Sequence, residues 1–203
     1  MRLRAAAASI ALVASGLIGA TFASAPAQAL VVAPSKACYP VCTPALATSR
    51  KVVAPGYKMT FKATNFRAKS AVTLESSFDG ASGTTSSSGA ASLKIYAPAD
   101  PGKYRVSAKA SGQTASTTIY VPGFSAPVGC QVGRECTFTA FPIEPGTAVK
   151  FAASGSSSNC ETSQGGERVT CTVTFAPIRK NKLVSWKLTT GVVYGKGKLS
   201  LVK

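Results

Sequence analysis

Short runs in which apolar and polar residues alternate are the feature that most constrains the fold of this chain. Met59, Phe61 and Ala63 alternate with polar residues, and Val184 and Trp186 do the same in the second half. No stretch shows the 3.6-residue apolar period of an amphipathic helix. A period of two buries one face of a strand and leaves the other in water, as in antiparallel sandwiches. The pattern therefore predicts an all-β fold.

The strand pattern occurs twice along the chain. A shift of 77 residues aligns Phe61 with Phe138, and a shift of 80 residues aligns Val106 with Trp186. The difference of three residues falls between these pairs, in stretches rich in Ser, Gly and Thr, where a loop tolerates an insertion. The repeat predicts two tandem β-sandwiches. Their expected bounds are residues 30–121 and 129–203, with a short linker at 122–128.

The N-terminus has the three parts of a secretory signal peptide over residues 1–29. Arg2 and Arg4 form a basic start, an uncharged Ala-rich run follows, and Ala27-Gln28-Ala29 matches the small residues that signal peptidase prefers. The alternative is a membrane anchor, but the run is short and alanine inserts weakly. We expect cleavage before Leu30, export from the cell, and no transmembrane segment in the mature chain.

Export makes the cysteines candidates for disulfides, because disulfides persist in oxidising compartments. Spacing suggests three local bridges, although six cysteines allow many other connectivities. A zinc site without histidine, or a redox pair without a Cys-x-x-Cys motif, is disfavoured. The suggested pairs are Cys38–Cys42, Cys130–Cys136 and Cys160–Cys171.

The composition excludes most catalytic chemistry. The chain has no His, which rules out Ser-His-Asp and Cys-His catalysis and histidine metal sites. It has only seven carboxylates, and the closest pair, Glu75 and Asp79, is too sparse for a calcium loop. We therefore expect a non-enzymatic protein without a catalytic site, metal or cofactor.

One short motif points to a family. The stretch Asp100-Pro101-Gly102-Lys103-Tyr104 resembles the segment before and in strand F of immunoglobulin domains. Residues 50–121 resemble the bacterial Ig-like domains of secreted Gram-positive proteins, although Val106 replaces the usual cysteine, and in the second half the resemblance rests on the internal repeat alone. The resemblance implies two Ig-like sandwiches that act as surface or structural modules, with a tyrosine corner at Asp100, Gly102 and Tyr104.

A second resemblance, to the neocarzinostatin-type apoproteins, implies an alternative function as a small-ligand carrier or inhibitor. Those proteins are also secreted Ig-like sandwiches rich in Ala, Gly, Ser and Thr. This chain differs from them in having two modules and a basic charge. The carrier alternative predicts an apolar pocket that opens between the loops of one sandwich.

Positive charge is the remaining signal of function. Lys and Arg number 23 against seven acids, and removal of the signal peptide lowers the net charge from +16 to +14. The lysines would either contact an anionic cell-envelope polymer or surface protein, or simply fill wet strand positions. Their spread over strands disfavours sequence-specific nucleic-acid binding. The candidate polyanion contacts are Lys103, Arg105, Lys109, Arg179, Lys180, Lys182, Lys187, Lys196 and Lys198.

Aromatic residues could mark a binding surface if they are exposed. The single Trp186 lies on an apolar strand face and is expected in the core. The exposed aromatic candidates are Tyr39, Tyr96, Phe124 and Tyr194, with Tyr194 expected in a loop. Together these features predict a secreted surface-interaction module, held by electrostatic attraction at an anionic cell envelope.

Overall fold

The computed structural model describes residues 43–163 and 165–203. The expected signal peptide, the Cys38–Cys42 pair and Tyr39 lie outside the described residues. The described part of the chain is built from strands without a helix, which confirms the all-β prediction. Within it there is accordingly no helix long and apolar enough to cross a membrane.

The first sandwich contains two sheets that enclose one core. The strand order is β1-β2-β5 in one sheet and β4-β3-β6-β7 in the other. Phe61, Leu74 and Ile95 are fully buried between them, because alternate residues of each strand point inward. The strands are β1 (Ala45–Thr48), β2 (Lys58–Thr64), β3 (Ala71–Glu75), β4 (Gly80–Thr84), β5 (Ala91–Tyr96), β6 (Gly102–Ala110) and β7 (Gln113–Val121).

The second sandwich repeats this plan with the sheets β12-β13-β10-β8 and β11-β14-β15-β9. Phe138, Phe175 and Leu188 form its centre. Its first strand lies inside the segment expected to be a linker. Only Pro122 therefore separates the last strand of the first sandwich from the first strand of the second. The strands are β8 (Gly123–Ser125), β9 (Gly129–Gln131), β10 (Glu135–Phe141), β11 (Val149–Ala153), β12 (Ser156–Thr162), β13 (Val169–Phe175), β14 (Lys182–Thr190) and β15 (Val193–Val202).

The two sandwiches share details that support a duplication. Gly56 and Gly133 precede equivalent strands and have φ angles of 68° and 71°, a left-handed conformation that favours glycine. In both sandwiches the leading segment divides between the sheets. Its second part runs parallel to the last strand, through β9 and β15 in one case and a Val52–Tyr120 bridge in the other. All other strand pairs in the described part of the chain are antiparallel.

The fourth strand is where the two sandwiches differ. In the first sandwich β4 pairs with β3, but in the second the equivalent β12 pairs with β13 and so joins the opposite sheet. A disulfide between Cys160 and Cys171 holds β12 against β13. A second disulfide joins Cys130 to Cys136. Both bridges have the pairings that spacing suggested.

The sandwiches contact each other through a small apolar cluster and two ion pairs. Val52, Tyr120 and Val193 are buried together. The Lys51 Nζ atom lies 3.2 Å from a carboxylate oxygen of Glu144. Lys103 and Glu167 form the second ion pair, so each pair joins a lysine of the first sandwich to a glutamate of the second.

Candidate functional site

The stretch from Asp100 to Tyr104, which resembles the segment around strand F of immunoglobulin domains, forms a structural contact at the start of β6. The Tyr104 hydroxyl donates a hydrogen bond to the backbone carbonyl of Asp100 over 2.9 Å, the contact that defines a tyrosine corner. A Cβ at Gly102 would lie 2.7 Å from the Tyr104 ring. Only glycine therefore lets the ring lie against the backbone, which accounts for the spacing of the motif.

The basic residues of β6 point outward, and each has a partner. Lys109 lies 2.6 Å from Glu75, and Arg105 donates to the Ser116 hydroxyl over 2.9 Å. Lys103 is bonded to Glu167, and this hydrogen bond raises the pKa of the Lys103 ammonium above its usual value. The positive charge on this face is therefore partly neutralised within the protein.

The equivalent face of the second sandwich carries lysines without acids. On the outward side of β14 and β15, Lys187 lies directly opposite Lys196, and Lys198 lies opposite Ser185 one row further. Lys150 adds a fourth ammonium from β11, two residues before the Ala152 that pairs with Lys187. No carboxylate occupies an outward position on β11, β14, β15 or β9. We call this surface, made of Lys150, Lys187, Lys196, Lys198 and Tyr194, the second-sandwich lysine face.

Tyr194 lies within this face. Its side chain is 48% exposed. The Lys187 Nζ atom lies 4.3 Å from the centre of its ring and that of Lys196 lies 5.9 Å away, both within the range of a cation–π contact. Tyr194 is the second residue of β15, so it belongs to the strand and not to the loop in which the sequence placed it.

A groove runs beside the tyrosine across the same strands. It has a volume of about 500 Å³, and Ala152, Gly197 and the stems of Lys187, Lys196 and Lys198 line it. Ala152 and Gly197 leave space above the strands because they have a small side chain or none, and Ser185 and Trp186 complete the lining. The groove thus combines an apolar floor with an ammonium rim.

The other predicted contacts of the second sandwich lie apart from this face. Arg179 and Lys180 are exposed in the turn before β14, and Lys182 is the exposed first residue of that strand. The structure does not bring these three side chains into the rows that hold Lys187 and Lys196.

Four lysines at outward strand positions were missing from the predicted polyanion contacts. Lys150 belongs to the second-sandwich lysine face, and the other three lie on the outward side of β2 and β5. The same alternation that places Met59 and Phe61 in the core places these lysines in water, so the signal was present in the sequence. The three residues of the first sandwich are Lys58, Lys62 and Lys94.

The carboxylates of Glu75 and Asp79, the closest pair of acids in the sequence, both bind other groups of the first sandwich. Glu75 pairs with Lys109. The Asp79 carboxylate accepts hydrogen bonds from the backbone N–H groups of Tyr96 and Gly80, and these bonds lower its pKa. No cluster of three or more potential metal ligands occurs among residues 43–163 and 165–203.

The aromatic candidates divide between core and surface. Trp186 is buried as expected, and Tyr96 is 55% exposed on the outward side of β5. Phe124 is not an exposed aromatic: it is partly buried between the two sandwiches, against the backbone of Gly195. The sequence predicted it as exposed because the interface that covers it has no local signature.

The carrier alternative requires a pocket between loops. A depression of about 560 Å³ follows the hairpin of β3 and β4 around Phe78, but one hairpin alone lines it. The groove beside Tyr194 lies on a sheet face. Neither has the between-loop position that this alternative predicts. A third cavity, of about 400 Å³, does lie at the loop between β12 and β13, where Phe141, Glu167 and Arg168 border it with both polar and apolar atoms.

Comparison with known proteins gave structural likeness alone. No family model and no curated protein matches the chain. Among solved structures it is similar to domains 4–9 of the surface layer protein SbsC (12% identity over 77% of this chain and 31% of that one, TM-score 0.30). It is also similar to invasin, a bacterial integrin-binding protein (14%, 79% and 39%, 0.34), and to InvD of Yersinia pseudotuberculosis (12%, 78% and 56%, 0.37). The chain thus spans about a third to somewhat over half of these structures, and at these TM-scores the likenesses assign neither family nor function.

Proposed function

We propose that this protein is a secreted, non-enzymatic surface module that binds anionic polymers of a cell envelope through the second-sandwich lysine face. Phosphate or carboxylate groups along such a polymer would pair with the lysines, and retention would be electrostatic. The signal-like N-terminus and the two disulfides support an extracellular location.

The observation that carries the proposal is the direct juxtaposition of Lys187 and Lys196 across β14 and β15. Like charges at opposite positions of a strand pair destabilise the sheet. The ring of Tyr194 partly stabilises the two ammonium groups, but no carboxylate lies at an outward position of this sheet to neutralise them. An anion held between these side chains would remove the repulsion, so binding and stability are linked.

On the corresponding face of the first sandwich, the chain's own carboxylates pair with the lysines. There Glu75 and Glu167 reach Lys109 and Lys103. Two faces at equivalent positions of a duplicated fold therefore differ in whether their bases have acidic partners. This difference supports the assignment of polymer binding to the second sandwich.

The test is the affinity of the full chain for a soluble linear polyanion, long-chain polyphosphate, across a salt series. A lysine near an anionic surface contributes about 1 kcal/mol. The variant K187Q/K196Q should therefore bind roughly 30-fold more weakly at low salt. Binding should weaken steeply toward 1 M salt, where the screening length is about 3 Å.

A matched control removes the same charge from the first sandwich. The variant R105Q/K109Q also loses two positive charges but acts on residues that already have partners. It should retain most of the affinity. Equal losses in the two variants would mean that only net charge matters, and the assignment of a binding face would then be wrong.

A further inference from the structure

A second surface, on the first sandwich, has the same make-up as the second-sandwich lysine face. On the outward side of the sheet β1-β2-β5, Lys58 lies opposite Tyr96, Lys94 lies opposite Thr60, and Lys62 lies opposite Ser92. The Lys58 Nζ atom lies 5.6 Å from the centre of the Tyr96 ring. We call the surface of Lys58, Lys62, Lys94 and Tyr96 the first-sandwich lysine face.

This face also lacks acidic partners at its own outward positions. Alanines, threonines and serines occupy the remaining outward sites of β1, β2 and β5. Asp79 approaches the end of β5, but its oxygens accept hydrogen bonds from the backbone of Tyr96 and Gly80. The ion pairs found within the described residues use Lys51, Lys103 and Lys109 and leave the three lysines of this face without a carboxylate.

The duplication does not account for the recurrence. The two lysine faces lie on non-equivalent sheets, because β2 and β5 correspond to β10 and β13 of the second sandwich. The outward side of β10 and β13 carries a different chemistry, rich in threonine. Its threonines are Thr137, Thr139, Thr170, Thr172 and Thr174. A half-exposed tyrosine among lysines has therefore arisen twice, at two different places in the fold.

We infer that the first-sandwich lysine face is a second polyanion-binding site and that the chain is bivalent for linear anionic polymers. The inference rests on the proposed function for the class of ligand but not for the residues. The short passage from β7 to β8 ties the two sites together. Binding of one site therefore raises the effective concentration of polymer at the other.

The experiment uses beads coated with long-chain polyphosphate and the full chain, shown to be monomeric by light scattering. A monomer with two sites bridges beads, and a monomer with one site coats them. The wild type should agglutinate the beads. The variants K58Q/K62Q/K94Q and K187Q/K196Q/K198Q should each still bind but not agglutinate, with an affinity for long polymer lower by roughly 100-fold.

A matched control and a second set of substitutions keep the test decisive. The variant R67Q/R105Q/K109Q loses three charges from the first sandwich outside the face and should agglutinate as the wild type does. Threonine, which suits strands, replaces glutamine if a variant does not fold.

The outcomes separate this inference from the proposed function. Agglutination by K58Q/K62Q/K94Q at the wild-type titre overturns the second site and leaves the proposed function intact. Loss of all binding in K187Q/K196Q/K198Q also overturns the second site, because the first face should then hold polymer alone. Undiminished affinity in that variant, with binding abolished in K58Q/K62Q/K94Q, overturns both the proposed face and the bivalence and assigns polymer binding to the first-sandwich lysine face alone.

Discussion

The backbone at Gly102 touches the ring of Tyr104 more closely than any side chain would allow. A Cβ atom at Gly102 would lie 2.7 Å from two ring carbons and 2.8 Å from the hydroxyl oxygen. An added methyl group must displace the ring and with it the hydrogen bond to Asp100. The residues of this motif therefore act as one unit that ties the loop before β6 to the strand.

We predict that G102A lowers the free energy of unfolding by about 2 kcal/mol, because overpacking and a lost hydrogen bond combine. Y104F, which loses the hydrogen bond alone, should cost about 1 kcal/mol. Urea denaturation of both variants and of the double variant measures the coupling. The double variant should cost less than the sum, and simple additivity would show that Gly102 and Tyr104 act independently.

The lysines show where single-residue prediction from the sequence succeeds and where it stops. Alternation alone places Lys103 and Lys187 on outward faces, because the period of a strand is two. It does not reveal that Glu167, far along the chain, neutralises Lys103. The candidates were therefore found as exposed bases, whereas the difference between paired and unpaired bases required the assembled sheets.

At the level of elements, the fourth strand of the first sandwich, β4, and its equivalent β12 lack the apolar–polar alternation of the strands around them. The flanking strands alternate buried and exposed residues, but the burial of β4 and β12 shows no inward face to fix a sheet. β4 consists of small and hydroxyl residues, and β12 is polar, with three serines in its first half. The sequence therefore predicted the strands that surround the core, but it placed loops in the Ser-, Gly- and Thr-rich stretches where the structure has β4 and β12. It did not predict that this strand joins opposite sheets in the two sandwiches.

We predict that the Cys160–Cys171 disulfide holds β12 in its sheet. The variant C160S/C171S should lose about 2–3 kcal/mol of stability, the range expected when a loop of this length is released. Hydrogen exchange should accelerate most at the amides of β12 that pair with β13. If protection of β12 stays at the wild-type level, strand pairing alone fixes its sheet. The variant C130S/C136S serves as the comparison, since its shorter loop does not involve β12.

At the level of the whole molecule, the two sandwiches are joined by contacts that salt affects unequally. The Lys51–Glu144 and Lys103–Glu167 pairs are exposed and contribute little in salt. The cluster of Val52, Tyr120 and Val193 is buried and insensitive to screening. Apolar packing is therefore the main contact that keeps the sandwiches from moving independently.

We predict that V193D frees the two sandwiches, because it buries an unpaired carboxylate against Val52 and Tyr120. Rotational correlation times from backbone ¹⁵N relaxation should fall toward those of single sandwiches. The variant E144Q/E167Q, which removes both ion pairs, should tumble almost as the wild type does. A larger change in E144Q/E167Q than in V193D would assign the coupling to the ion pairs.

The parallel pairing of β9 with β15 has a mechanical consequence. Parallel strands begin at the same end, so tension applied before β9 and after β15 pulls the two strands in opposite directions along their length. The hydrogen bonds between them, continued by the Val132 amide to the Val202 carbonyl, then resist as a group in shear and do not open one at a time. A sandwich pulled from these two points would separate only when the bonds break together, which makes the second sandwich suited to bearing tension.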